Sequence, residues 1–154
     1  GERATLGLEL ENVRNYLRIQ QYRYKSKLRY EIDVPENLYN RRVEHLMLQP
    51  LVENAIYHGI RSRKEGGLVT IFAEERGGNL VITVEDNGVG MTQERIREVM
   101  DRDREIGSMG VRNVDNRIKL TFGSEYGLKI ESQPGAGTRV ILTLPDEEVR
   151  DEEP

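Results

Sequence analysis

Three short stretches of this sequence hold residues whose types and spacing could do chemistry. In HLMLQPLVENAIYHGI (45–60), Glu53, Asn54 and His58 interrupt an otherwise apolar pattern. On a helix, Asn54 and His58 share one face, with Glu53 one step around. An Asn amide oxygen is a hard ligand suited to Mg²⁺, which takes few protein groups and keeps phosphate oxygens and waters. Glu53 could serve as a general base or orient water. His58, near the helix C-terminus, could meet phosphate in the cationic form that the dipole favours. The same residues also fit a plainer arrangement, with Glu53 and His58 exposed and Asn54 a satisfied buried amide.

The second stretch is TVEDNGVGM (83–91), where a strand delivers Asp86 to its end and Gly88 and Gly90 follow. Glycines let backbone approach a flat ligand, and a carboxylate can accept from an amino group such as adenine N6. DNG is equally a good turn. The third is GSMGVRNV (107–114), where two glycines run into a helix whose first turn carries Arg112 and Asn113. Free N–H groups and a partial positive charge make such a terminus a natural phosphate site. A glycine-softened loop before an amphipathic helix has the same appearance. It is not a P-loop, because no Gly-Lys-Ser/Thr follows.

The elements around these stretches follow from periodicity. TLGLELENVRNYLRIQQYRY places Leu6, Leu10, Val13, Leu17 and Tyr24 mostly at three- and four-residue steps, one stripe on a helix of about 20 residues. KLRYEIDV alternates Leu28, Tyr30 and Ile32 with charges, an edge-like strand ending at Pro35. Strands at 68–75 and 79–86 flank the hairpin turn RGGN. MTQERIREVM (91–100) is a short helix with Thr92 as N-cap, and VRNVDNRIKLTFG (111–123) another, with Gly123 as its stop. YGLKIESQ and TRVILTLP are two more strands across the turn PGAG (134–137). Hairpins dominate over βαβ crossovers. The expected class is therefore α+β, a two-layer α/β sandwich with a mixed, mostly antiparallel sheet and helices on one face. Pro50 is expected in the first turn of a helix starting near Leu46 to Met47, where a missing N–H costs nothing.

Composition bounds the function. The chain has 154 residues, suiting one domain, with 32% charged residues and a mean hydropathy of -0.66. No apolar run approaches the roughly 18 residues of a membrane span, and no signal peptide opens the chain. The absence of cysteine excludes disulfides and thiolate metal sites. Of the net charge of -4, the tail DEEVRDEEP (146–154) carries -5, so the body is near neutral and does not suit nucleic acid. The tail is expected to be a solvated, disordered end.

In order, ENAIYH, DNGVG, GSMGVRN and PGAGTRV resemble the boxes of the Bergerat-fold (GHKL) ATP-binding domains of histidine kinases, gyrase-type topoisomerases, Hsp90 chaperones and mismatch-repair ATPases. Within that superfamily, LQPLVENAIYHGI, GVRNVDNRIKLTFG and YGLKIESQPGAGTRVILTLP are similar to LytS/YesM-type sensor histidine kinases, and the likeness covers nearly the whole chain. The resemblance implies the Bergerat fold and a domain that binds ATP with Mg²⁺ and passes the γ-phosphoryl to a histidine. It implies that Asn54 holds Mg²⁺, Glu53 is the acid beside it and His58 sits near the phosphates. Asp86 would read the adenine amine, with Gly88, Gly90 and Met91 at the pocket wall and Thr138 supporting Asp86 directly or through water. Residues from about Thr92 to Ser108 would form an ATP lid hinged at Gly107 and Gly110. Val111, Arg112 and Asn113 would lie at the phosphate end.

Two departures qualify the likeness. Ser108 stands where many relatives have glycine, and no NPHFLFN-like phosphoacceptor motif occurs; of the two histidines, His45 has no supporting motif and is expected to be structural or exposed. The implied layout is a lead-in (1–27) from an absent dimerisation and phosphoacceptor domain, the catalytic domain (28–145) and the acidic tail (146–154). The implied context is the cytoplasmic part of a homodimeric receptor in a bacterial inner or plasma membrane. Its partners would be ATP or ADP, the phosphoacceptor histidine domain and a response regulator, with no nucleic acid and no membrane contact by this segment. Other readings are a GHKL ATPase switch with Glu53 activating water, an anti-sigma-factor-like serine kinase, and a degenerate module that binds only protein.

Overall fold

The computed structural model describes residues 4–101 and 109–149. Helix α1 (Leu6–Tyr24) starts at Thr5, whose hydroxyl accepts from the Leu8 N–H. Strand β1 (Leu28–Asp33) follows, then α2 (Gln49–Asn54), which widens into a π-helical turn over Ala55–Ile60. Strands β2 (Gly67–Arg76) and β3 (Asn79–Asp86) form the expected hairpin, with Gly77 and Gly78 at positive φ as a type I′ turn requires. Helix α3 (Gln93–Met100) is capped by the Thr92 hydroxyl, which accepts from the Arg95 N–H. Helix α4 (Met109–Phe122), β4 (Gly127–Ser132) and β5 (Thr138–Pro145) follow.

The five strands form one sheet in the order β1-β2-β3-β5-β4, with β1 parallel to β2 and every other pair antiparallel. The α+β class and the mostly antiparallel sheet are as expected. The single parallel pair arises because α2 crosses between β1 and β2. Alternation along the strands turns Val69, Ile71 and Ala73, Leu80, Ile82 and Val84, and Val140, Leu142 and Leu144 into one buried set. Across them lie Leu51, Val52, Ala55 and Ile56 of α2 and Val111, Val114 and Ile118 of α4. The α1 stripe Leu6, Leu10, Val13 and Leu17 belongs to this same core, so α1 packs as part of the domain and not only as a lead-in to it.

Two further expectations change. The helix carrying Asn54 begins at Gln49, not near Leu46, because the preceding turn is held from elsewhere. Glu9, 2% exposed on α1, accepts from the N–H groups of Leu46 (3.1 Å) and Leu48 (2.9 Å). Arg117 of α4 donates to the carbonyls of His45 and Leu46, and Leu46 sits at φ 56. Pro50 still lies in the first turn, as the sequence requires. The acidic tail is docked at its start. The Arg41 Nε donates to Asp146 Oδ1 (2.6 Å), and backbone bonds run from Arg42 N to Glu147 O and from Val149 N to Asn40 O. The segment is held because Arg41, itself buried, needs carboxylate partners and finds them in Glu75 and Asp146. The part of the tail beyond residue 149 lies outside the described residues.

Candidate functional site

Asp86 is the last member of the inward row Leu80, Ile82, Val84 on β3, so the alternation that builds the core also drives a carboxylate beneath the helix layer. It is 5% exposed, and its Oδ1 accepts from the Gly88 N–H at 2.8 Å. Burial pushes its pKa from 3.8 up to about 6; nearby Glu85 adds to the rise, while the Gly88 and Thr138 N–H groups and Arg63 oppose it. Thr138, paired with Asp86 across β3 and β5, thus supports the carboxylate through its backbone. Its hydroxyl pairs instead with Ser132 Oγ (2.8 Å), which also accepts from the Met91 N–H (2.8 Å). Met91, Ser132, Thr138 and Asp86 therefore form one connected set beside a recess of about 460 Å³.

A second cavity, of about 520 Å³, lies between α1, the helix carrying Asn54 and the start of α4. Asn54, Tyr57 and His58 line it from α2, Gly110 and Val111 from α4, and Tyr16, Gln20 and Arg23 from α1. Asn54 Oδ1 is buried and receives no hydrogen bond among the described residues. A buried amide oxygen without a donor is costly unless something positive completes it. A hard divalent cation fits this atom, and no cluster of three His, Cys, Asp or Glu side chains that could hold a metal occurs among the described residues. Glu53 is exposed beside it and accepts from Gln49 Nε2 at 3.1 Å. The His58 ring meets Tyr57 edge-on at 4.8 Å. The Tyr16 hydroxyl has its pKa raised, first by burial and then by the negative charge of Glu53.

The π-helical turn separates the two ends of the site. The Arg61 N–H bonds Ile56 O, five residues back, and the extra width carries Gly59 against β3. A β-carbon on Gly59 would lie 2.6 Å from Asp86 Oδ1, and one on Gly88 would lie 2.0 Å from Gly59 O. The Val89 N–H then donates to Gly59 O at 2.9 Å. Gly90, at φ 74, rests against Gln133 O of the β4–β5 turn. Gly88 and Gly90 therefore serve backbone contacts that hold the DNGVG loop in place.

Asn54, His58, Gly110 and Val111 come together in one cavity, with Glu53 at its edge, while Asp86, Thr138 and Met91 gather across Gly59. Arg112 and Asn113 are not among the cavity's lining side chains: Arg112 donates to the Asp101 carbonyl (2.7 Å) and Asn113 is exposed. Of the segment from Thr92 to Ser108 expected to form the lid, residues 102–108, Gly107 among them, lie outside the described residues. His45 is exposed. Sequence reasoning missed Gly59, Ser132 and the α1 residues. Gly59 had a signal, a glycine inside a helical apolar pattern; Ser132 and the polar end of α1 had none.

The family described as histidine kinase-, DNA gyrase B-, and HSP90-like ATPase matches residues 40–148. The chain is 36% identical over 142 residues to the sensor histidine kinase YesM of Bacillus subtilis, covering 92% of this chain and 24% of that protein. It is 32% identical over 152 residues to the sensor histidine kinase/phosphatase LytS of Staphylococcus aureus, covering 96% of this chain and 26% of the relative. The chain thus spans about a quarter of the length of these relatives. The catalytic domain of the histidine kinase ThkA superposes with a TM-score of 0.68 at 15% identity, covering 97% of this chain and 100% of that one. The Acinetobacter baumannii histidine kinase AdeS does so at 0.69 and 17%, over 94% of this chain and 66% of that one. With the family model matched over residues 40–148 and these relatives aligned over nearly its whole length, the chain belongs to the histidine kinase-, DNA gyrase B- and HSP90-like ATPase family.

Proposed function

We propose that this domain binds Mg-ATP and, within its full-length protein, transfers the γ-phosphoryl to a histidine on a separate dimerisation domain. The observation that carries the reading is the buried Asn54 Oδ1 without a donor, placed in one cavity with His58 and the start of α4. Asn54 would hold Mg²⁺ through that oxygen, and the ion would supply charge neutralisation for the phosphates. His58 faces the phosphates and Glu53 is the acid at the edge of the metal site. Asp86, ionised, accepts from the adenine amine, and the Thr138 backbone holds it. Gly88, Gly90 and Met91 form the wall behind the base. Gly107 and Gly110 hinge the segment from Thr92 to Ser108, and Val111, Arg112 and Asn113 close the phosphate end when nucleotide is present.

Phosphoryl transfer of this kind is positioning plus electrostatic stabilisation, so the domain needs no acceptor of its own. Among the described residues no helix is long and apolar enough to cross a membrane. The acceptor histidine, the receptor's dimer, its bacterial membrane and its response regulator accordingly belong to the rest of the protein in this reading. Incubation with γ-labelled ATP, alone and with a supplied acceptor domain, tests it. Label is expected on the acceptor domain and not on this chain. Strong labelling of His45 in the chain alone would overturn the reading.

A further inference from the structure

Helix α1 changes character along its length. Its packing face is apolar from Leu6 through Leu10, Val13 and Leu17, all within the core. On the neighbouring strip of the same helix, Tyr16, half-buried against the core, and then Gln20 and Arg23 line the 520 Å³ cavity that Asn54 and His58 also line.

The charge around this cavity is uneven. Among the described residues lining it, Glu53 is acidic and exposed, and Arg23 is the one arginine or lysine. Arg112, the cation the sequence places at the phosphate end, donates to the Asp101 carbonyl and is not part of the lining. A triphosphate seated beside Asn54 would bring more negative charge than one divalent ion cancels, and the lining has to answer it. The Arg23 guanidinium lies 5.5 Å from the centroid of the Tyr24 ring, which limits its swing on an otherwise exposed side chain. Gln20, half-buried one turn earlier, adds an amide donor on the same wall.

Building on the proposed function, we infer that the α1 wall is part of the nucleotide site and that Arg23 is a phosphate-binding residue, contacting the terminal phosphates of Mg-ATP from the side opposite Asn54. A planar, five-donor cation is suited to bridging phosphate oxygens, and its contribution grows with the number of phosphates present. It follows that α1 contacts the triphosphate directly.

Isothermal titration of the chain with a non-hydrolysable Mg-ATP analogue, Mg-ADP and Mg-AMP separates the possibilities. Arg23→Ala is expected to weaken the triphosphate analogue about tenfold, the size of one lost charge-assisted contact, and AMP by less than about twofold. Arg23→Lys should recover part of that loss, since it keeps the charge but not the fork. The wild-type preference for triphosphate should shrink as salt rises, and in Arg23→Ala it should be nearly salt-independent. Arg18→Ala, on the exposed face of α1, should bind as wild type. The inference fails if Arg23→Ala binds the triphosphate as wild type does, or weakens all three nucleotides equally. Wild-type chain that binds none of them would overturn the proposed function itself, a result distinct from a selective failure of Arg23.

Discussion

Asp86 provides the sharpest quantitative test, because the same burial that prepares it for a ligand opposes its ionisation. Its pKa stands at about 6 in the fold against 3.8 for a free aspartate, and desolvation is the leading cause. Since the folded value is raised, the stability it contributes is fully present below about pH 3.8 and is lost as pH rises through about 6. Roughly two units at about 1.4 kcal/mol each give about 3 kcal/mol in total. Because an unfolded aspartate is already mostly ionised at pH 4.5, about 2 kcal/mol of this falls between pH 4.5 and 7.5. The perturbation is Asp86→Asn, which cannot ionise. Its amide turns one donor toward the Gly88 or Thr138 N–H groups, a cost that does not vary with pH and cancels when the two pH values are compared. Urea unfolding of nucleotide-free wild type and variant at both pH values measures the effect. Wild type should lose about 2 kcal/mol relative to Asp86→Asn on going from pH 4.5 to 7.5. A stability difference that stays flat, or that moves the other way, refutes the claim that desolvation dominates this carboxylate.

Three further outcomes follow from the geometry. Asn54→Ala should abolish the Mg²⁺-dependent part of nucleotide affinity in calorimetry with and without the metal, yet leave thermal stability unchanged or slightly higher, since Oδ1 has no donor among the described residues to lose. Gly59→Ala places a β-carbon 2.6 Å from Asp86 Oδ1; it should cost about 1–3 kcal/mol in denaturant unfolding and weaken nucleotide binding in parallel. Glu9→Ala leaves the buried Leu48 N–H and the partly buried Leu46 N–H before α2 without their acceptor; a loss of about 2–4 kcal/mol by the same assay is expected, whereas Glu9→Gln, which keeps one acceptor oxygen, should lose less.

Much of the fold is local in origin and could be read directly. The hairpin at RGGN, the β3 limits Asn79–Asp86 and the β5 limits Thr138–Pro145 agree with expectation because period-two alternation and turn chemistry are short-range properties. The Thr92 cap and the α1 stripe are legible for the same reason. Asp86 was recognisable as the polar end of an apolar strand. The residues that complete the site were not legible, because their meaning depends on partners distant in the chain. Glu9 reads as one more surface acid until it is found bonded to Leu46 and Leu48, and Gln20 and Arg23 read as a solvated face until a cavity stands opposite.

Sequence alone determined the kind of domain, the strand parity that turns Asp86 inward, and the presence of Asn54 and His58 on one helix. Tertiary structure decided where that helix starts, since its preceding turn is fixed by Glu9 and Arg117 and not by local propensity. It also decided that the helix widens at Ala55–Ile60, bringing Gly59 against Asp86, and that the tail is pinned through Asp146 to Arg41. The physical reason is common to these cases. Periodicity and capping are set within a few residues, whereas an unpaired N–H or a buried guanidinium is answered by whichever group the fold carries to it.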